Sequence, residues 1–205
     1  LTLNRLTLNL FTTIENLLIP YQLKLFGYSS SDALSIYGIL TGMAFAIILF
    51  PTVLTNSISV LLLPVVSEAQ AKHNDRLIRE AIIKTTESCL LLGLLCTIGL
   101  LVLGDFIGNF IFKNALSAAF ITTMSWICPF LYLGSTLNSI FHGLGKPGIT
   151  LFLNLFSCLI RILFIVFLIP VIGIRGYLTG LLVSQISLCV LALLWLYRLM
   201  KKDSP

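Results

Sequence analysis

Charged and amide side chains stand where a leucine-rich chain has least use for them. Arg5, Asn9, Thr12, Glu15 and Asn16 interrupt the opening segment LTLNRLTLNLFTTIENLLIP, and Arg161 lies in the middle of LFLNLFSCLIRILFIVFLIP. A guanidinium is a permanent cation, so an arginine kept among apolar residues needs a bundle interior or a water-filled cavity to face. Glu15 is the acidic residue placed deepest in an apolar stretch. No Ser/His/Asp, Cys/His or paired-carboxylate arrangement for acid–base or nucleophilic chemistry is present. Cys89, Cys96, Cys128, Cys158 and Cys189 all sit in apolar runs without a CxxC or a paired histidine, so they read as small buried hydrophobes. An enzyme is not expected, and neither is a cofactor or a metal site.

The elements that carry these residues follow from composition. The chain is 58% hydrophobic and 10% charged, with a mean hydropathy of +1.03. Soluble domains hold about 45–50% apolar and about 25% charged residues, and a water-soluble fold of this length cannot hide the excess. The class is an all-α integral membrane protein. The net charge of +5 is dispersed over segment ends, which indicates membrane topology and no nucleic-acid partner. The first residue is Leu and no cleavable leader is visible, so the start of a longer protein is expected upstream.

A bilayer core of about 30 Å needs roughly 20 apolar helical residues. Six spans are predicted: 1–19, ending at Pro20; 31–71, with Pro51 and Pro64 inside; 75–103; 115–143; 147–170; and 175–200. Together they make a single six-helix lobe with short, antiparallel connections. Eight of the Lys and Arg residues fall on one side of this arrangement and three on the other, with Arg5 and Arg161 inside spans. The positive-inside bias then puts both ends of the chain in the cytoplasm.

On a wheel of 100° per residue, Thr2, Asn9, Thr12 and Asn16 fall within about 60° of Arg5, while most leucines occupy the remainder. Glu15 flanks this stripe and lies about 15 Å along the axis from Arg5, too far to pair with it. The same spacing aligns Thr150, Asn154, Ser157 and Arg161 in the fifth span and Thr41, Thr52, Thr55, Asn56 and Ser59 in the second. Ser135, Asn138 and His142 line up near the inner end of the fourth. An unpaired arginine at mid-bilayer costs about 2.5–3.5 kcal/mol on insertion scales, so such residues face a bundle interior or a water-filled cavity. One central aqueous space shared by these stripes is the expectation. Arg5, near an end, can equally snorkel to the interface.

Prolines inside spans kink helices without forbidding them. Gly38–Gly42 and Gly176–Gly180 are GxxxG patterns, whose default meaning is close helix packing. GLGKPG at 143–148 lacks the spacing of a phosphate-binding loop and reads as a tight turn.

Longer stretches carry a family resemblance: LIPYQLKLFGYSSSDALSIYGILTGMAFAIILFPTVLTNSISVLLLPVVSEAQAKHN, then WICPFLYLGSTLNSIFHGLGKPG and LIPVIGIRGYLTGLLVSQ. This wording resembles the stage V sporulation protein B-like proteins, a polysaccharide-biosynthesis branch of the multidrug/oligosaccharidyl-lipid/polysaccharide (MOP) exporter superfamily. The resemblance implies a two-lobed transporter that rocks around a central cavity, of which this chain is the carboxy-terminal lobe. It further implies a flippase for lipid-linked oligosaccharide or peptidoglycan precursor, with Arg5 against the lipid diphosphate and spore cortex as one destination. Gln22 and His142 depart from the branch, where an arginine and an amide are expected. Implied partners are membrane lipids, the lipid-linked diphosphate sugar, and an amino-terminal lobe or a second copy. The coupling ion, proton or sodium, is left open. A cation-coupled multidrug and toxin exporter and a non-transporting scaffold for cell-wall enzymes are the competing readings.

Overall fold

The computed structural model describes residues 2–72 and 75–202, with side chains described for 6–72 and 76–199. Among these residues every regular element is helical: α1 (Thr2–Phe26), α2 (Ser30–Ile39), α3 (Phe45–Leu49), α4 (Thr52–Ala71), α5 (Asp75–Phe106), α6 (Ala115–Met124), α7 (Cys128–Gly143), α8 (Pro147–Ile172) and α9 (Ile174–Lys202). Turns of π-helix at Leu40–Ala44 and Ile107–Ile111, and a 3₁₀ turn at Ser125–Ile127, join or extend them. Six stretches are long and apolar enough to cross a membrane, Ser30–Leu49 and Thr52–Ala71 counting separately, while α1, broken by its polar residues, is not among them.

The two stretches either side of Pro51 are one bent rod. Backbone angles stay in the right-handed helical region through Phe50 and Pro51. The first half packs on α6 and the second on α7, and α6 and α7 themselves run on through the 3₁₀ turn. A proline lacks the amide that would satisfy a carbonyl one turn back. Around this bend the carbonyls find other donors. Tyr132 Oη reaches Ile48 O at 3.0 Å, Thr52 Oγ1 reaches Leu49 O at 2.5 Å, and Phe50 N reaches Ile47 O at 3.3 Å.

Pro20 does not end α1. The helix continues to Phe26 because the residues beyond the proline still pack inward, with Gln22 and Leu23 both buried. It stops where Gly27, at φ +117°, supplies the left-handed residue of a C-terminal cap. At the other end of the bundle the GLGKPG segment is the tight turn that its spacing suggests. Gly145 N bonds His142 O at 3.1 Å and Lys146 N bonds Phe141 O at 2.9 Å around Gly145 at φ +67°. That is a Schellman cap on α7, and Pro147 then opens α8 at the position where a missing amide costs nothing.

α8 lies mainly between α9 and α1, and α7 between α4, α5 and α9. The chain ends of α1 and α8 meet, with Phe26 lying against Gly173, so α1 and α8 run parallel. Gly176 and Gly180 press α9 onto α8: a Cβ would lie 2.7 Å from the Leu168 carbonyl carbon or 2.5 Å from Phe164 Cβ. The other GxxxG pair departs from the packing expectation. Among the described residues nothing lies within 4 Å of a Cβ at Gly38 or Gly42, because α2 and the π-helical turn after it face away from their neighbours there.

The apolar core is divided in two along the bundle. One cluster gathers Ile19, Leu40, Ile48, Phe120, Tyr132, Ile165 and Leu181; the other gathers Leu62, Val66, Ile82, Leu137, Phe141, Leu153 and Leu188. Between them three helices change character, whereas on α7 the clusters meet directly at Tyr132 and Leu133. Thr55 and Ser59 separate the clusters on α4, Asn154 and Ser157 on α8, and Ser184 on α9, all buried.

Candidate functional site

This polar waist contains the one ion pair among the described residues that links different helices. Glu15 of α1 and Arg161 of α8 approach to 3.0 Å between Oε1 and Nε. Each lies about fourteen residues into its helix, roughly 20 Å from the starting end at 1.5 Å per residue, so two parallel helices bring them to one depth. The contact is off the N–H axis, which makes it an ion pair without an aligned hydrogen bond. Glu15 is 4% exposed and the Arg161 side chain 18%. Arg161 Nη2 also reaches Cys158 Sγ at 3.3 Å, one turn earlier on α8. Tyr37 and Tyr177 lie within electrostatic reach of Glu15 from the second and last helical rods.

Sequence spacing excludes Arg5 as the partner of Glu15 but does not reveal Arg161, because the pair depends on which distant helices are neighbours. Arg5 itself lies in α1, and its side chain is outside the described residues. Asn9, Thr12 and Asn16 are exposed along α1, and Asn16 Oδ1 accepts a hydrogen bond from Tyr37 Oη of α2. Asn56 is exposed on α4. Asn154 is buried and accepts a long hydrogen bond, 3.5 Å, from Asn138 Nδ2 of α7.

One shared aqueous space is therefore not what the stripes form within this lobe. The α8 stripe turns inward, with Thr150, Asn154 and Ser157 all buried, whereas the α1 stripe turns outward. The second-span stripe divides, since Thr55 and Ser59 face α7 while Asn56, 100° further round, does not. The physical reason is that some buried polar residues satisfy themselves within the helix bundle, while Ser59 Oγ and Thr150 Oγ1 have no hydrogen-bond partner among the described residues. Ser and Thr bond carbonyls of their own helix, as Thr55 Oγ1 does to Thr52 O at 3.0 Å, and charges pair. Gln22, unmarked by the wheel, is buried with an Oε1 that has no hydrogen-bond partner among the described residues.

Comparison with known proteins places this arrangement. The family model for the lipid II flippase MurJ matches residues 36–204, which include Asn56, Asn154 and Arg161. The chain belongs to the MurJ lipid II flippase family. Stage V sporulation protein B of Bacillus subtilis (strain 168) is 25% identical over 170 residues, 82% of this chain and 33% of that protein. The fold is that of MOP superfamily transporters. An outward-facing multidrug resistance MATE family transporter superposes with a TM-score of 0.76 at 12% identity, covering 95% of this chain and 45% of the other. Its inward-facing counterpart gives 0.75 at 14% identity, covering 97% and 47%. A MOP superfamily transporter from Pyrococcus furiosus Vc1 (DSM3638) gives 0.71 at 16% identity, covering 96% and 43%. The chain thus spans about a third of the curated relative and under half of each transporter structure. Helix α1, with Arg5 and Glu15, precedes the residues that the family model matches.

Proposed function

We propose that this chain is one lobe of a flippase that moves a lipid-linked, diphosphate-bearing cell-wall precursor across the bacterial cytoplasmic membrane by alternating access. The observation that carries this reading is the match to the MurJ family over residues 36–204. The polar waist fits it chemically. A guanidinium has five N–H donors; Cys158 engages Nη2 of Arg161 and Glu15 balances its charge without an aligned hydrogen bond, so the remaining donors suit phosphate oxygens. Asn9, Thr12, Asn16 and Asn56, exposed on this lobe, are suited to line a vestibule against a second lobe, with Arg5 contributing a further cation.

The partner in that vestibule is an amino-terminal lobe or a second copy, and both ends of the chain lie in the cytoplasm. A peptidoglycan precursor is the substrate class in view, with spore cortex as one use. The competing reading, a cation-coupled multidrug exporter, asks for an unengaged carboxylate deep in the lobe. Glu15 is the deepest acid here, and Arg161 already neutralises it. The test is complementation. The full-length protein should rescue a flippase-deficient strain, and the Arg5→Ala/Arg161→Ala variant, expressed at the same level, should fail. Rescue by that variant would count against the assignment, and ion-dependent drug efflux without rescue would favour the exporter.

A further inference from the structure

At the end of the bundle opposite the α7–α8 turn, α6 and α9 diverge and leave a half-open groove of about 780 Å³. Its walls are mainly apolar, with Phe26, Leu116, Phe120, Leu178 and Leu182 prominent. Arg175 stands at its mouth, exposed and without a carboxylate within 4 Å among the described residues. The mouth is level with the helix ends. Arg175 follows the Gly173 turn by two residues, and Phe26 and Tyr28 flank the Gly27 cap. From Arg175 the lining runs down α9 to Val183, about 12 Å at 1.5 Å per residue. That is close to the depth of one bilayer leaflet, half of a roughly 30 Å core.

We infer that this groove binds an anionic membrane phospholipid, its phosphate on Arg175 and an acyl chain between α6 and α9. The inference goes beyond the flippase reading and does not depend on it. Charge selects the occupant. One guanidinium balances the single negative charge of a phosphodiester, whereas a diphosphate asks for more than one cation, and a zwitterionic lipid gains little from Arg175. A small soluble anion would leave the apolar wall unused. The volume lies within the roughly 300–1,000 Å³ typical of small-molecule sites.

Native mass spectrometry of the full chain, released from micelles containing phosphatidylglycerol or phosphatidylcholine, tests this. Phosphatidylglycerol should be retained about fivefold better, the size expected of one basic residue acting on an anionic lipid. Arg175→Gln should abolish the preference and Arg175→Lys should keep most of it. Ala119→Phe, which fills the groove, should lower retention of both lipids; if that variant does not fold, the Gln and Lys variants decide. Equal retention of the two lipids, or a preference that survives Arg175→Gln, overturns the proposal. Displacement of phosphatidylglycerol by equimolar undecaprenyl phosphate also overturns it, assigning the groove to a polyprenyl chain.

Discussion

Replacing Glu15 by leucine would leave the Arg161 guanidinium charged, 18% exposed and without its partner in the middle of the bundle. With charge centres about 4 Å apart and an effective dielectric near 20, the lost attraction is about 4 kcal/mol. Breaking one side of a buried pair costs about 3–5 kcal/mol, because the remaining charge stays desolvated. Arg161→Met should cost a similar amount, since Glu15 is still more deeply enclosed. The double variant Glu15→Leu/Arg161→Met removes both charges and their desolvation, so it should lie within about 1 kcal/mol of the parent. The signature is therefore non-additivity, with two damaging single changes and a benign combination. Reversible unfolding of the four proteins in mixed micelles gives the cycle directly, and thermal midpoints follow at about 2–4 °C per kcal/mol for a chain of this size. Single variants that each cost less than about 0.5 kcal/mol and simply add would refute the reasoning. Such a result would mean that water or lipid phosphate already satisfies the two groups.

Other expectations follow from particular contacts. Tyr132→Phe strips the donor from Ile48 O beside Pro51, where both groups are buried, and should cost about 1–3 kcal/mol in the same unfolding assay. Gly176→Ala forces a methyl to 2.7 Å from the Leu168 backbone and should cost about 1–3 kcal/mol. Gly38→Ala meets nothing among the described residues of this lobe and should leave the unfolding midpoint of the isolated lobe unchanged or slightly raised. In the full-length protein, cysteines at Asn9, Asn16 and Asn56 should react with a membrane-impermeant maleimide while one at Asn154 should not. Equal labelling at all four positions would contradict the inward turn of the α8 stripe.

Membrane class and helical architecture were legible in the sequence because they depend on composition and segment length, which lipid constrains strongly. The turn at Gly143–Gly148 was legible for a local reason: Gly145 and Pro147 specify a cap and a helix start without help from elsewhere. Pro20 misled because its local cost is real, yet Leu23 and Gln22 repack the helix beyond it. The wheels identified which residues are polar and on which face, but not what each face meets. Arg161 meets Glu15 only because α1 and α8, far apart in the chain, run parallel and adjacent. GxxxG carries the same ambiguity, since Gly176–Gly180 finds α8 and Gly38–Gly42 finds no neighbour among the described residues. Outside the family resemblance, nothing in the spacing of the residues points to lipid as the transported species.

Transport itself is the decisive property, and a double variant that keeps its fold allows it to be tested without confounding by misfolding. The full-length protein would be placed in liposomes containing a lipid-linked diphosphate sugar, and exposure of the headgroup at the opposite leaflet would be followed over time. The parent protein is predicted to move the lipid, and Glu15→Leu/Arg161→Met, though folded, to move it about tenfold more slowly or worse, as loss of a charge-assisted phosphate contact implies. Transport by the folded double variant at the parent rate would contradict a role for the polar waist in carrying the precursor.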